Sequence, residues 1–291
     1  RIELISKSVM TTTSNLFPNI IGQHPTKRKF EFYIKAFERI GIVPNIMITA
    51  PKGAGKTLLA RAFARNLVLP NTMEPKRYIE INCATIKNLR SFVDMIMTPY
   101  MINTEATFLF DECHMIPKDV TMALLTITNP NKHNHNTFSY DGQDIEIDFK
   151  KLTFLFATTE PQEVFHALID RMERIDLDDY SYEELGQILL LNTGNIKFSG
   201  DIVNTHIAST LRGNGRSAQK MATNIINYCA ANNVRTFKLK DWQSLCNTLD
   251  IMPFGINKTE LKYLRALARN GCIRLYNLAA KLQMTRAAIQ S

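Results

Sequence analysis

Up to Asp178 the apolar residues fall in short runs separated by segments of helical spacing. "NIMIT" (45–49), "RYIEIN" (77–82), "ATFLF" (106–110), "LTFLFAT" (152–158) and "RIDL" (174–177) predict five strands. All but the last are nearly continuous apolar runs, as expected of strands covered on both faces. Strands alternating with helical segments predict an α/β domain built on a parallel sheet. Between the third and fourth runs lies an insert at about 131–149. Its "FSYDGQDIEI" sets Asp141-Gly142 between alternating residues, the pattern of a β-hairpin.

Past Asp178 the strand pattern stops. "SYEELGQILLL", "SGDIVNTHIASTL", "GRSAQKMATNIINYCAANN" and "KDWQSLCNTL" all carry helical spacing, and Ser181 with Glu184 forms a capping box. After "IMPFG" comes the helical "KTELKYLRALARNG". "LAAKL" and "TRAAIQ" follow around a tight turn, the spacing of a helix-turn-helix. The reading is a flexible arm over 1–16, an α/β domain over 17–179, an all-helical domain over 180–252 and a helix-turn-helix module over 253–291.

Composition narrows the class. Across 291 residues, 45% are hydrophobic and 21% charged, enough apolar material for packed cores. No apolar run approaches the roughly 18–20 residues of a membrane span, so a membrane protein is not expected. The five cysteines are far apart and never in C-x-x-C spacing, which favours reduced thiols in a cytosol-like compartment over a disulfide frame or zinc site. His133 and His135 lack a supporting acid or cysteine cluster and read as solvated loop residues. The chain opens on Arg1, which leaves room for a preceding segment.

Charge adds a partner. Of the formal +8, residues 251–291 carry +6, from Lys258, Lys262, Arg265, Arg269, Arg274, Lys281 and Arg286 against Glu260. A basic module on a nearly neutral body is the electrostatic footprint of a nucleic-acid contact. A solvated helix face is the plainer alternative.

The first strand runs into "APKGAGKT" (50–57), which fits the phosphate-loop pattern G-x-x-x-x-G-K-[ST] except that Ala50 replaces the first glycine. Backbone N–H groups around Gly53 to Lys56, with the positive end of the next helix, would cradle phosphates. Lys56 would reach the β- and γ-phosphates, and Thr57 would ligate Mg²⁺. "TFLFDE" ends a strand on Asp111 and Glu112. There the first acid would hold Mg²⁺ through water and the second would polarise the attacking water. Thr158 and Thr159 close the fourth strand as candidates for sensing the γ-phosphate or orienting water. "IDRMERI" offers Arg171 and Arg174, and an exposed arginine there could neutralise charge on a neighbouring subunit's nucleotide. A surface salt bridge is the alternative. "RGNGRSAQK" puts Arg216 at a helix start, a further candidate for the same nucleotide.

Together these elements resemble the AAA+ ATPases, and within them the bacterial Holliday-junction branch-migration motors of the RuvB type, from Asn19 onward. "NIIGQ" (19–23) matches the segment that lines the family's adenine pocket. That implies ATP contacts at Ile20 and Ile21, beside Pro51, Lys52, Gly53, Ala54, Gly55, Lys56, Thr57 and Leu58 of the loop. "LFDECHMI" is similar to the second nucleotide motif and "FATTEP" to the sensor strand. "IDRMERI" matches the Asp-Arg-Phe segment, which makes Arg171 the trans-acting arginine finger. The resemblance further implies Tyr180 beside the adenine and Arg216 on the phosphates. It places a RuvA-like partner on the hairpin insert. The C-terminal module resembles the family's winged helix on duplex DNA, with Lys258, Lys262, Arg274, Lys281 and Arg286 as contacts. It ends before the wing strands and is read as truncated.

The resemblance implies an ATP-driven DNA translocase for branched DNA, using ATP and Mg²⁺. Its expected form is a hexameric ring, in the cytoplasm of a bacterial or phage-infected cell. "FATTEPQEVFHALIDR" equally resembles the clamp-loader branch, so a clamp or helicase loader in replication is the alternative. Three departures stand out: Ala50, Lys52 where the family has proline, and a hairpin, "HNHNTFSYDG", with few apolar residues.

Overall fold

The structure is a computed structural model that describes residues 16–272 together with 274, 275, 277 and 278. It divides into two compact units, Arg1–Asp178 and Asp179–Ser291.

The described part of the first unit runs α1 (His24–Ile40), β1 (Ile46–Thr49), α2 (Lys56–Arg65), β2 (Arg77–Asn82), a helical stretch over 89–100, β3 (Ala106–Asp111), α3 (Lys118–Ile127), β4 (His135–Tyr140), β5 (Gln143–Asp148), β6 (Leu152–Thr158) and β7 (Glu173–Asp176), with short helical turns at 83–85, 113–115, 161–163 and 166–169. Five of these strands form one sheet in the order β2-β3-β6-β1-β7, every neighbouring pair parallel. This is the expected α/β architecture. One detail differs from the sequence reading. β2 is an edge strand: Arg77, Glu80 and Asn82 are exposed, and of its side chains Ile81 alone is buried.

Side-chain alternation along each strand separates two cores. Met47, Phe108, Phe110, Phe154 and Phe156 point to one face; Ile46, Ile48, Leu109, Leu155 and Ala157 point to the other. The parallel register sets Phe108 against Phe154 and Phe110 against Phe156, with ring centroids 5.9 and 5.0 Å apart. α1 and α2 cover the second face through Phe30, Ile34, Phe37, Leu59 and Phe63. The hairpin β4–β5 buries Phe138, Ile145 and Ile147 in the first core. Its few apolar residues are therefore spent inward, and Thr137, Ser139, Asp144 and Glu146 point outward. At its turn Asp141 and Gly142 both adopt positive φ (48° and 73°), as a two-residue hairpin loop requires.

The second unit contains the helices Tyr182–Thr193, Gly215–Ala231, Leu239–Leu249 and Lys258–Asn270. The first starts at the Ser181/Glu184 capping box, Ser181 N–H to Glu184 Oε2 at 2.8 Å and Glu184 N–H to Ser181 Oγ at 3.2 Å. The stretch expected to be all-helical also holds a two-residue parallel pair, Lys197–Phe198 with Thr236–Phe237. Aromatic packing drives it: Phe237 is fully buried, with Phe198 and Tyr228 edge-on to its ring. Residues 1–15 of the expected arm, all of "LAAKL" except Leu278, and "TRAAIQ", with Lys281 and Arg286, lie outside the described residues. Among those described, no helix is long and apolar enough to cross a membrane.

Candidate nucleotide site

Strand order builds the site. In a parallel sheet, ligands bind beyond the carboxyl ends of the strands, where the order of connection reverses. Here β6 lies between β1 and β3, so its end stands between the phosphate loop and the two acids.

Leaving β1, the chain turns at Gly53 (φ 86°) and Gly55 (φ 95°), conformations only glycine adopts without strain. Ala50 is not among the positive-φ residues, and its N–H donates to the Thr158 carbonyl at 3.3 Å. The first loop position thus closes the strand and needs no glycine. α2 begins at Lys56 with no side-chain cap and no acid in its first turn, which leaves the helix's positive end toward the loop. Lys56 itself is buried, its ammonium donating to the carbonyls of Ala50 (2.9 Å) and Pro51 (3.3 Å). Ala54 is buried as well, Gly53 and Gly55 half-buried, and Pro51, Lys52 and Leu58 exposed.

Thr57 Oγ1 donates to Asp111 Oδ2 at 2.9 Å, which joins the loop to the end of β3. A hydroxyl and a carboxylate oxygen side by side form a hard donor set that fits Mg²⁺, an ion that takes few protein ligands and keeps its waters. Asp111 is held by the Glu112 N–H on its other oxygen at 3.0 Å. Glu112 then adopts the left-handed conformation, φ 54° and ψ 49°, which is uncommon for a residue with a side chain and ends the strand. Thr159 Oγ1 donates to its Oε2 at 3.3 Å.

The two threonines separate. Thr159 is half-buried and reaches Glu112, whereas Thr158 is fully buried, and its Oγ1 accepts the Glu160 N–H at 3.0 Å. His114 Nδ1 lies 3.0 Å from that same hydroxyl. This histidine is a site residue the sequence reading missed, although its place in "DECH" beside Glu112 was a usable signal.

The two arginines of "IDRMERI" also diverge. Arg174 Nε pairs with Asp176 at 2.8 Å within β7. Arg171 is half-buried; its Nη1 donates to the Ala167 carbonyl, and its Nε is buried with no hydrogen-bond partner. Cys83 and Cys113 flank the acids, but burial pushes both thiols up, Cys113 to about 12, so neither is a reactive thiolate.

The AAA family, ATPases associated with various cellular activities, has a model that matches residues 46–178. Those residues form an AAA ATPase domain. The wider chain is 27% identical over 283 residues to the Holliday junction branch migration complex subunit RuvB of a Nitratiruptor species, spanning 93% of this chain and 79% of that protein. The RuvB subunit of Campylobacter curvus is 23% identical over 300 residues, across 100% of this chain and 85% of its own. Among solved structures, the Thermotoga maritima RuvB Holliday junction branch migration motor matches with a TM-score of 0.72 at 21% identity. That match covers 94% of this chain and 88% of the other. The chain is an ATPase with the fold of these proteins.

The AAA domain holds the loop, Asp111, Glu112, Thr158, Thr159 and Arg171. Just before it, Ile20 is buried and Ile21 half-buried. Nearby, the buried Gln23 side chain bonds both backbone groups of Asp178: Nε2 to the carbonyl at 2.7 Å, and Oε1 from the N–H at 3.0 Å. Asp178 is the last residue of the first unit, so this amide pins the end of the AAA domain. The remaining candidates belong to the second unit. Tyr180 is half-buried just before the capping box, and Arg216 is exposed at a helix start capped by Asn214. Lys258 pairs with Asp250 and Arg212 with Glu260, each at 2.8 Å, which ties the helix Lys258–Asn270 to the rest of that unit. Lys262, Arg265, Arg269 and Arg274 are exposed.

Proposed function

We propose that the chain is an ATP-dependent DNA translocase acting on branched DNA; the relatives it resembles are named as subunits of a Holliday junction branch migration complex. The observation that carries this reading is the extent of the likeness, which runs through both units and not the AAA domain alone.

Lys56 and the N–H groups from Gly53 onward bind and orient the phosphates. Thr57 and Asp111 would hold Mg²⁺, which when bound neutralises phosphate charge. Glu112 orients the attacking water and accepts its proton, and the Thr159 hydroxyl steadies that carboxylate. Arg171 supplies positive charge to the nucleotide of a neighbouring subunit, so turnover belongs to an oligomer, a hexameric ring on this reading. Tyr180 and Arg216 are assigned to adenine and phosphates on their motifs. The second unit comprises a lid and a winged-helix module, and Lys262 and Arg274 contact phosphates of the duplex. A RuvA-like partner at the hairpin would meet a polar face, with Asp144 and Glu146 outward and His135 3.6 Å from Glu146. The compartment is the cytoplasm.

The test is ATP turnover with linear and with four-way DNA, for native protein and Glu112→Gln. A translocase on branched DNA is stimulated by four-way DNA without any further protein, and Glu112→Gln binds ATP but loses turnover by at least about 10²-fold. Stimulation only with a clamp or helicase present would make the chain a loader instead. Normal turnover by Glu112→Gln would remove that residue from its role.

A further inference from the structure

One side chain outside the set above touches three parts of the site. His114 sits in the short turn Cys113–Met115 that follows Glu112, with only 11% of its side chain exposed. Its Nδ1 lies 3.0 Å from Thr158 Oγ1 and 3.6 Å from Glu112 Oε2. Its Nε2 lies 3.7 Å from Glu160 Oε1. The Thr158 hydroxyl that it meets also accepts the Glu160 N–H. A rigid ring with a nitrogen on each side thus spans the carboxyl ends of β3 and β6.

Glu112 has need of such a neighbour. Its left-handed backbone leaves the β3 ladder, so no strand pairing fixes the direction of its side chain. Two groups bracket its Oε2: the Thr159 hydroxyl from the end of β6, and the imidazole from its own turn. Thr159 alone leaves the carboxylate free to swing about that single contact. The imidazole is anchored in turn by a fully buried threonine.

We propose that His114 is a positioning residue: held by Thr158 and Glu160, it keeps the Glu112 carboxylate at the end of β6, aimed at the attacking water. The proposal rests on the reading of Glu112 as the water-directing group. Every contact found for His114 is with Thr158, Glu112 or Glu160, so its loss is expected to act through Glu112 on the chemical step and not on binding. A carboxylate displaced by about 1 Å is enough to lower a rate by about 10²-fold.

The experiment compares native protein with His114→Ala, His114→Asn, Glu112→Gln and the Glu112→Gln/His114→Ala double variant. Readouts are ATPase kinetics, the affinity for a fluorescent ATP analogue, and thermal unfolding. His114→Ala is expected to lower kcat by about 10²-fold while KM and analogue affinity stay within about twofold. His114→Asn, which keeps a polar group near the Nδ1 position, recovers part of that loss. The double variant is no slower than Glu112→Gln. Unchanged kcat in His114→Ala, with Glu112→Gln inactive, overturns the proposal and leaves the role of Glu112 standing. Equal losses of turnover, affinity and unfolding temperature in both His114 variants would make the residue a structural support and also overturn it. Normal turnover in Glu112→Gln would remove the premise, and the proposal with it.

Discussion

Ala50 shows how little a motif letter says without its backbone angle. The phosphate-loop pattern asks for glycine at that position, yet positive φ occurs at Gly53 and Gly55, and Ala50, the residue just past β1, keeps an N–H bond to the Thr158 carbonyl. A methyl group there carries no conformational penalty, and it restricts the unfolded chain more than glycine would. Ala50→Gly is therefore expected to leave kcat and KM unchanged and to lower the unfolding free energy by about 0.5–1 kcal/mol. Denaturant titration beside an ATPase assay measures both. A gain in turnover would mean that the loop strains to accommodate the methyl group. Thr158 and Thr159 make the same point. Adjacent in sequence, they occupy opposite sides of a strand end, one a buried link to His114 and the other a partner of Glu112.

At the scale of elements, the sheet is stitched at both ends. At the carboxyl ends the stitching is the site itself. At the opposite end, Lys76 leads into β2 and reaches beneath β3, donating to the Lys150 carbonyl at 2.7 Å and to Thr153 Oγ1 at 3.2 Å. Its ammonium also lies 4.8 Å from the Phe37 ring centre. Burial pulls its pKa down to about 8 from 10.5, against the opposing pull of Glu105 and Asp148. Below about pH 8 both folded and unfolded lysines are charged, and the fold bears the full cost of the buried charge. Between about 8 and 10.5 the folded lysine is neutral and the unfolded one still charged, so that cost fades and stability rises. The stability of native protein relative to Lys76→Met should therefore shift towards native as pH rises from about 7 to about 9.5. Cys113, pushed up to about 12, acts oppositely: its contribution is full below 9 and is lost as pH rises. It is common to both proteins and cancels in the comparison. Urea titrations at matched pH decide the matter, and a flat difference would mean that Lys76 is not desolvated.

For the whole molecule, the decisive residue is Arg171, because its assigned task lies on another subunit. Arg174 is paired with Asp176, whereas Arg171 donates to a neutral group, the Ala167 carbonyl, and has no ion pair with an acid among the described residues, so of the two its charge is the one left to act elsewhere. Arg171→Ala should bind ATP normally and lose turnover. Mixing it with Lys56→Ala subunits, themselves inactive, should restore part of the activity, most at intermediate ratios. Some interfaces then join an intact loop to an intact arginine. Absence of recovery at every ratio would place Arg171 in its own subunit's chemistry and remove the case for a ring from this residue.

Features set by near neighbours were legible in the amino-acid order. Apolar runs marked the five strands, Asp141-Gly142 the hairpin turn, Ser181 and Glu184 a helix start, and "GAGKT" after a strand the phosphate loop. Each depends on residues within one turn or one strand length, where periodicity and propensity act. Which strands are neighbours was settled by packing. Nothing in the pattern says that β6 enters between β1 and β3, which brings the Thr158–Thr159 pair between the loop and the acids, or that β2 lies at the edge with polar residues in water. The same holds for His114. Its role rests on contacts with Thr158 and Glu160, far along the chain, and only the packing of β3 beside β6 creates them.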